Sequence, residues 1–92
     1  MRQHLENRRS SISFNFEHEG IAYHASASRF PDGHLAEIFL SAGKPHSAAQ
    51  VNAETSAILV SLLLQHGVST DEILRSIRGP IAVALNLAEV PA

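Results

Sequence analysis

The chain has 92 residues, a length typical of one domain and too short for two. Its hydrophobic content of 45% and charged content of 17% exclude an intrinsically disordered chain. The absence of cysteine excludes a disulfide scaffold, a thiolate metal site and a cysteine nucleophile, and the net charge of −2 argues against an electrostatic surface for nucleic acid or anionic membranes.

The N-terminal residues 1–9 are polar and carry three arginines, with no apolar run after them. We expect them to form a flexible tail rather than a signal peptide, and residues 10–92 to form a single domain. The longest apolar stretch, residues 57–64, is interrupted by Ser61 and is far shorter than the ~20 residues of a membrane span. We therefore expect a cytoplasmic protein that does not enter a membrane.

Three segments alternate apolar and polar residues, which is the pattern of strands with one buried face. They lie near residues 11–17, 21–29 and 34–40. Glu19-Gly20 and Pro31-Asp32-Gly33 supply the turns between them. The sequence therefore predicts a three-stranded antiparallel meander.

The turns also predict the register of the strands. In the first hairpin Phe14 lies opposite Ala25, so apolar residues meet apolar ones. In the second, Arg29 is expected to face His34, and Ala25 then lies opposite Ile38. The predicted core face carries Phe14, Phe16, Tyr23 and Ile38. The predicted polar face carries a candidate binding patch formed by Asn15, His24, Ser26 and Glu37, with Glu37 beside Ser26 and Phe39 next to His24.

The spacing of apolar residues becomes helical in the second half of the chain. A capping box begins a long helix over residues 47–66, and Gly67 is suited to the left-handed position that ends it. Ser69 caps a second helix, and Pro80 suits the first position of a third. The element order βββααα predicts an α+β fold in which the long helix packs on one sheet face and two shorter helices follow.

Several motifs resemble a known family. The run DGHLAEIFL at 32–40 with GK at 43–44 is similar to the DG-x-x-x-EIF-x-x-x-GK run in the C-terminal part of adenosylcobalamin-dependent ribonucleotide reductases. QHGV at 65–68 followed by RG at 78–79 resembles a second segment of the same TSCPD-type domain, which small stand-alone proteins also carry. The resemblance implies an α+β fold and an accessory association with a ribonucleotide reductase subunit.

The chain departs from that family where its Thr-Ser-Cys-Pro-Asp motif would lie, since only Pro80 and the following helix remain. The family's cysteines have no counterpart, so no catalytic or metal role is carried over. The six histidines show no recognised metal-ligand spacing, and His24 with Glu37 is the best candidate pair. We expect no metal, no cofactor and no enzymatic activity.

The sequence thus favours a non-enzymatic accessory, interaction or regulatory domain. The alternative is a small nucleotide- or nucleic-acid-binding module, although the predicted polar face offers Phe39 as its only aromatic residue for base stacking. A metal-dependent enzyme is the third hypothesis, weakened by the missing cysteines.

Residues 57–64 leave little polar surface over two helical turns, which predicts that the long helix is covered on more than one side. A homodimer would provide that cover, through the helix or through the sheet face. The candidate interface residues are Leu35, Phe39, Val60, Leu63 and Leu64. The competing explanation is that the third helix covers the same surface through Ile81, Leu85 and Leu87.

Overall fold

The computed structural model describes residues 11–90, so the predicted tail at residues 1–9 lies outside the described residues. The strands are β1 (Ser11–His18), β2 (Ile21–Arg29) and β3 (Leu35–Ser41). The helices are α1 (Ala48–Gln65), α2 (Thr70–Ser76) and α3 (Pro80–Glu89). The strands form one antiparallel sheet in the order β1-β2-β3, which confirms the predicted α+β fold.

The first hairpin has the predicted register, with Phe14 opposite Ala25 and Asn15 opposite His24. Its two-residue turn has positive φ at both central positions, 51° at Glu19 and 80° at the glycine that follows. This combination is that of a type I′ turn, whose twist matches the twist of the flanking strands. The turn therefore sets the register that the sequence pattern predicts.

The predicted register of the second hairpin is wrong by two residues. Ala25 lies opposite Leu40 rather than Ile38, a shift of two that holds from His24 to Ser28. Next to the loop the shift is one residue, since Arg29 pairs with Leu35 rather than His34. Because side chains alternate with a period of two, an even shift keeps the side chains of Glu37 to Leu40 on their predicted faces. The core face is therefore preserved although the individual pairs differ.

A shorter loop and a β-bulge account for this shift. The loop contains three residues, 31–33, rather than the expected four, 30–33, because it is closed by Phe30, whose amide donates to the His34 carbonyl at 2.8 Å. Ala36 is then an extra residue, because its neighbours Leu35 and Glu37 pair with consecutive residues of β2. Leu35 and Ala36 are both buried, and Leu35 packs in the core between the sheet and the helices.

The core lies between the sheet and the helices. Helix α1 packs on the sheet as predicted, but it lies mainly on β3, and α3 contacts all three strands. On α3, one side is buried in this core: Ile81, Ala84, Leu85 and Ala88. Phe14 and Phe16, at the far side of the sheet, are only partly buried, and Phe16 stacks on Tyr23 with 5.4 Å between ring centroids.

Helix α1 begins and ends next to the capping residues that the sequence predicts, Ser47 and Gly67. The Ser47 hydroxyl accepts the Gln50 amide at 3.1 Å, which is half of the predicted capping box. The Gln50 side chain does not return to Ser47, because its Oε1 accepts the Ala42 amide at 2.6 Å. At the other end, the Val68 amide donates to the Leu63 carbonyl at 3.0 Å, as in a Schellman motif.

Helix α1 also closes the edge of β3 that has no neighbouring strand. The Ser61 hydroxyl accepts the Ile38 amide and donates to the Ile38 carbonyl, both at 3.0 Å. Gln65 Nε2 donates to the Ala36 carbonyl at 3.1 Å. The spacings match, because four helical residues rise about 6 Å and two strand residues about 6.6 Å. Two buried side chains of the helix thus take the place of a fourth strand.

We predict that Ser61→Ala lowers the free energy of unfolding by about 1–3 kcal/mol, because it leaves the buried amide and carbonyl of Ile38 without their partner. Urea denaturation followed by circular dichroism measures the change. Ser56→Ala is the matched control, since the Ser56 hydroxyl bonds only to the Ala53 carbonyl in its own helix, and we expect a change within about 0.5 kcal/mol. Equal effects of the two substitutions would contradict the role assigned to Ser61.

Candidate functional site

The sheet face opposite the core is largely exposed to solvent and is lined by polar residues. Near its middle, His24 Nδ1 donates to Asn15 Oδ1 at 2.7 Å, so the two side chains hold one another in place. Ser26 is the next residue of this face on β2, and Phe39 lies opposite it on β3 with 49% of its surface exposed. We call these four residues, Asn15, His24, Ser26 and Phe39, the open-face patch.

The structure brings together three of the four residues of the predicted polar patch. Glu37 lies opposite Ser28 rather than beside Ser26, and Phe39 lies opposite Ser26 rather than next to His24. Both displacements follow from the two-residue shift of β3. The predicted pair of His24 and Glu37 is therefore not formed across neighbouring positions of the ladder.

A groove of about 560 Å³ runs between β3 and α1. Its apolar walls include Phe39, Ile58 and Leu62, and the carboxylates of Glu37 and Glu54 also line it. None of the residues that line the groove is basic. The groove is thus an apolar depression with acidic groups.

The predicted interface residues fall into two groups. Leu35, Val60 and Leu64 are buried in the core of the chain itself, so they cannot contact a partner. Phe39 and Leu63 are exposed, at 49% and 42%. The interface expected from the sequence is therefore corrected to the part of it that faces solvent.

Two further exposed residues of α1 were missed by the sequence reasoning. Ile58 is 61% exposed and Leu59 is 57% exposed, although both lie in the apolar stretch 57–64. The spacing of the apolar residues gives no signal for this, because leucine, isoleucine or valine occurs at almost every phase of residues 57–64. The competing explanation, cover by α3, fails for this surface: Ile81 and Leu85 point into the core, and Leu87 is itself exposed.

A second depression, of about 450 Å³, lies between the β2–β3 loop and the connection from α1 to α2. The His34 amide donates to Asp32 Oδ1 at 3.0 Å, and the His34 ring lies 3.1 Å from the other carboxylate oxygen. This backbone bond, followed by the side-chain one, lowers the pKa of Asp32 from its ordinary value of 3.8. The two bonds between His34 and Asp32 close the turn, and they account for the lowered pKa of Asp32 without a catalytic role.

Within residues 11–90, no three or more histidine, aspartate or glutamate side chains are grouped so that they could hold a metal ion. Nor is any helix in this part of the chain long and apolar enough to cross a membrane.

The fold and its surfaces define a small α+β domain whose exposed features are a polar sheet face and an apolar helix face. The sequence model of the TSCPD domain matches residues 3–84, nearly the whole chain, and the chain belongs to this family. The TSCPD family consists of ribonucleotide reductase-associated domains that are accessory rather than catalytic. No curated protein and no solved structure gives a significant match.

We predict that NMR titration finds the pKa of Asp32 below 3.8. The bond to His34 therefore stabilises the hairpin at neutral pH, and this stabilisation is lost as the pH falls through the folded-state pKa. In His34→Ala the pKa should rise only part of the way, because the backbone amide at position 34, the larger cause, remains. A complete return to the ordinary value would show that the imidazole dominates.

Proposed function

We propose that this TSCPD domain is a non-enzymatic accessory domain that binds a ribonucleotide reductase subunit through the open-face patch. The observation that carries the proposal is the exposed polar sheet face, ordered at its centre by the bond between Asn15 and His24. Membership of the TSCPD family supplies the class of partner. We expect the domain to act in the cytoplasm, together with the reductase.

The composition of the open-face patch suits a reversible protein contact. Interfaces of this kind combine an exposed aromatic side chain with polar groups that bond to the partner or to bridging water. Phe39 supplies the aromatic surface, and Ser26 beside it supplies a hydroxyl. Because Asn15 already holds His24, less side-chain freedom is lost when a partner binds.

A nucleotide- or nucleic-acid-binding module is the second candidate function. Exposed Phe39 favours it, since an aromatic ring on an open sheet face can stack against a base. The strand positions of this face contain no lysine or arginine within the described residues, so nothing there neutralises a phosphate. We therefore favour the protein partner.

The proposal is tested by measuring the affinity of the purified protein for the ribonucleotide reductase of the same organism by surface plasmon resonance. We predict that the wild-type chain binds and that His24→Glu weakens binding by at least about tenfold, because it breaks the bond to Asn15 and adds a charge to the patch. Asn86→Glu, which adds the same charge at an exposed position of α3, is the control and should leave the affinity unchanged.

Two results would contradict the proposal. One is the absence of binding to the reductase with and without its nucleotide effectors. The other is equal weakening by His24→Glu and Asn86→Glu, which would mean that the open-face patch is not the contact surface. Binding of a labelled single-stranded oligonucleotide that Phe39→Ala abolishes would favour the second candidate function instead.

A further inference from the structure

We infer that the exposed side of α1 binds a second copy of this chain and forms a two-fold symmetric dimer. The surface concerned, which we call the α1 patch, consists of Phe39, Ile58, Leu59, Leu62 and Leu63. This inference goes beyond the proposed function and does not depend on it. The two patches share Phe39, but their central residues differ: Asn15 and His24 lie on β1 and β2, whereas Leu59 and Leu63 lie on α1.

The α1 patch is continuous. Ile58 and Leu62 are one turn apart on α1, and so are Leu59 and Leu63, so the four residues form two adjacent ridges. Phe39 joins them from β3, because it lines the same groove as Ile58 and Leu62. Its most exposed members retain between 42% and 61% of their surface, and no described element covers them.

The exposed area of the α1 patch corresponds to a small, reversible dimer contact. At roughly 150–250 Å² for a large side chain, the exposed fractions of the α1 patch amount to about 400 Å² of mostly apolar surface. Homodimer interfaces are about 65% apolar, so this patch would form the centre of about 600 Å² per copy. The total of about 1,200 Å² lies at the lower limit of the standard size for stable interfaces.

The shape of the α1 patch is complementary to itself. Leu59 and Leu63 form a ridge beside the groove and do not line it, whereas Phe39 and Ile58 form its walls. A two-fold rotation brings the ridge of each copy to the groove of the other, which is the requirement for an isologous interface. Ridges formed by residues four apart pack in this way in the commonest class of helix pair.

The centre of the patch is uncharged, since Ile58 to Leu63 carry no charged residue. The groove that receives the ridge of the second copy is also lined by the carboxylates of Glu37 and Glu54, so the contact must leave both carboxylates in reach of water. Glu54 lies about 10 Å along the helix axis from the middle of the patch. In an antiparallel pair the two copies of Glu54 are then about 20 Å apart, well beyond the Debye length of ~8 Å at physiological ionic strength.

The structure also favours helix packing over strand addition at this side of the molecule. Ser61 and Gln65 already bond to the outward backbone groups of Ile38 and Ala36. A strand from another chain therefore finds this edge of the sheet occupied, whereas the outer ridges of α1 stay available. A second copy, which carries the same ridges, is the occupant that matches them.

Sedimentation equilibrium from low micromolar to submillimolar concentration tests the inference. We predict a reversible dimer for the wild-type chain and a dissociation constant at least ~100-fold higher for Leu59→Glu, which places an unpaired charge in each half of the contact. Leu87→Glu, an equally drastic change at an exposed leucine of α3, is the matched control and should leave the dimer intact. Circular dichroism establishes that both variants fold.

A cross-linking experiment tests the symmetry. Because the chain has no cysteine, Leu59→Cys introduces a single reactive thiol close to the two-fold axis, and a short bis-maleimide should link it to its counterpart in the second copy. Ile12→Cys places the thiol at an exposed position of β1, the other edge of the sheet, and should give little linked dimer.

A monomer over the whole concentration range would overturn the inference, and so would a dimer that Leu59→Glu leaves intact. Efficient linkage through Ile12→Cys would indicate that copies meet through β1 instead. The two proposals can fail separately: His24→Glu should leave the dimer unchanged, and Leu59→Glu should not weaken the reductase contact, because Leu59 lies outside the open-face patch.

Discussion

The hydrogen bonds from α1 to the unpaired edge of β3 are the contacts on which the arrangement of the domain depends. Ser61 bonds to both backbone groups of Ile38, and Gln65 bonds to the carbonyl of Ala36. Buried backbone groups without partners are costly, so a three-stranded sheet that buries one of its edges needs such donors and acceptors. Two polar side chains one helical turn apart provide them.

This attachment determines which surfaces the domain presents. With α1 held at β3, the space over the middle of the core face is filled by α3, whose inward residues are buried. The opposite sheet face keeps Asn15 and His24 exposed, and the outer ridges of α1 face away from the core. One polar surface and one apolar surface thus meet at Phe39, which lies opposite Ser26 in the sheet and lines the groove with Ile58 and Leu62.

The two hairpins show which strand pairings can be predicted from the alternation of apolar and polar residues and which cannot. The register of the first is set locally, by the two-residue turn at Glu19, and alternation alone predicts it. The second has the same alternation, but its loop closes at Phe30 and is one residue shorter than predicted, and Ala36 is bulged. The alternating pattern does not reveal this bulge, because the bulged residue is a small alanine, which can be buried on either face of the sheet. The residue pairs of the second hairpin could therefore be assigned only from the folded structure.

The sequence by itself determined the element order, the caps of the helices, the faces of the sheet and the TSCPD family, because each depends on local chemistry or on short motifs. Only the tertiary structure decided which side of α1 is buried. Leucine, isoleucine or valine occurs at almost every phase of residues 57–64, so hydrophobicity alone favours no orientation. The orientation follows from Ser61 and Gln65: these two must reach the edge of β3, and this turns Val60 and Leu64 inward and leaves Ile58 and Leu59 in solvent.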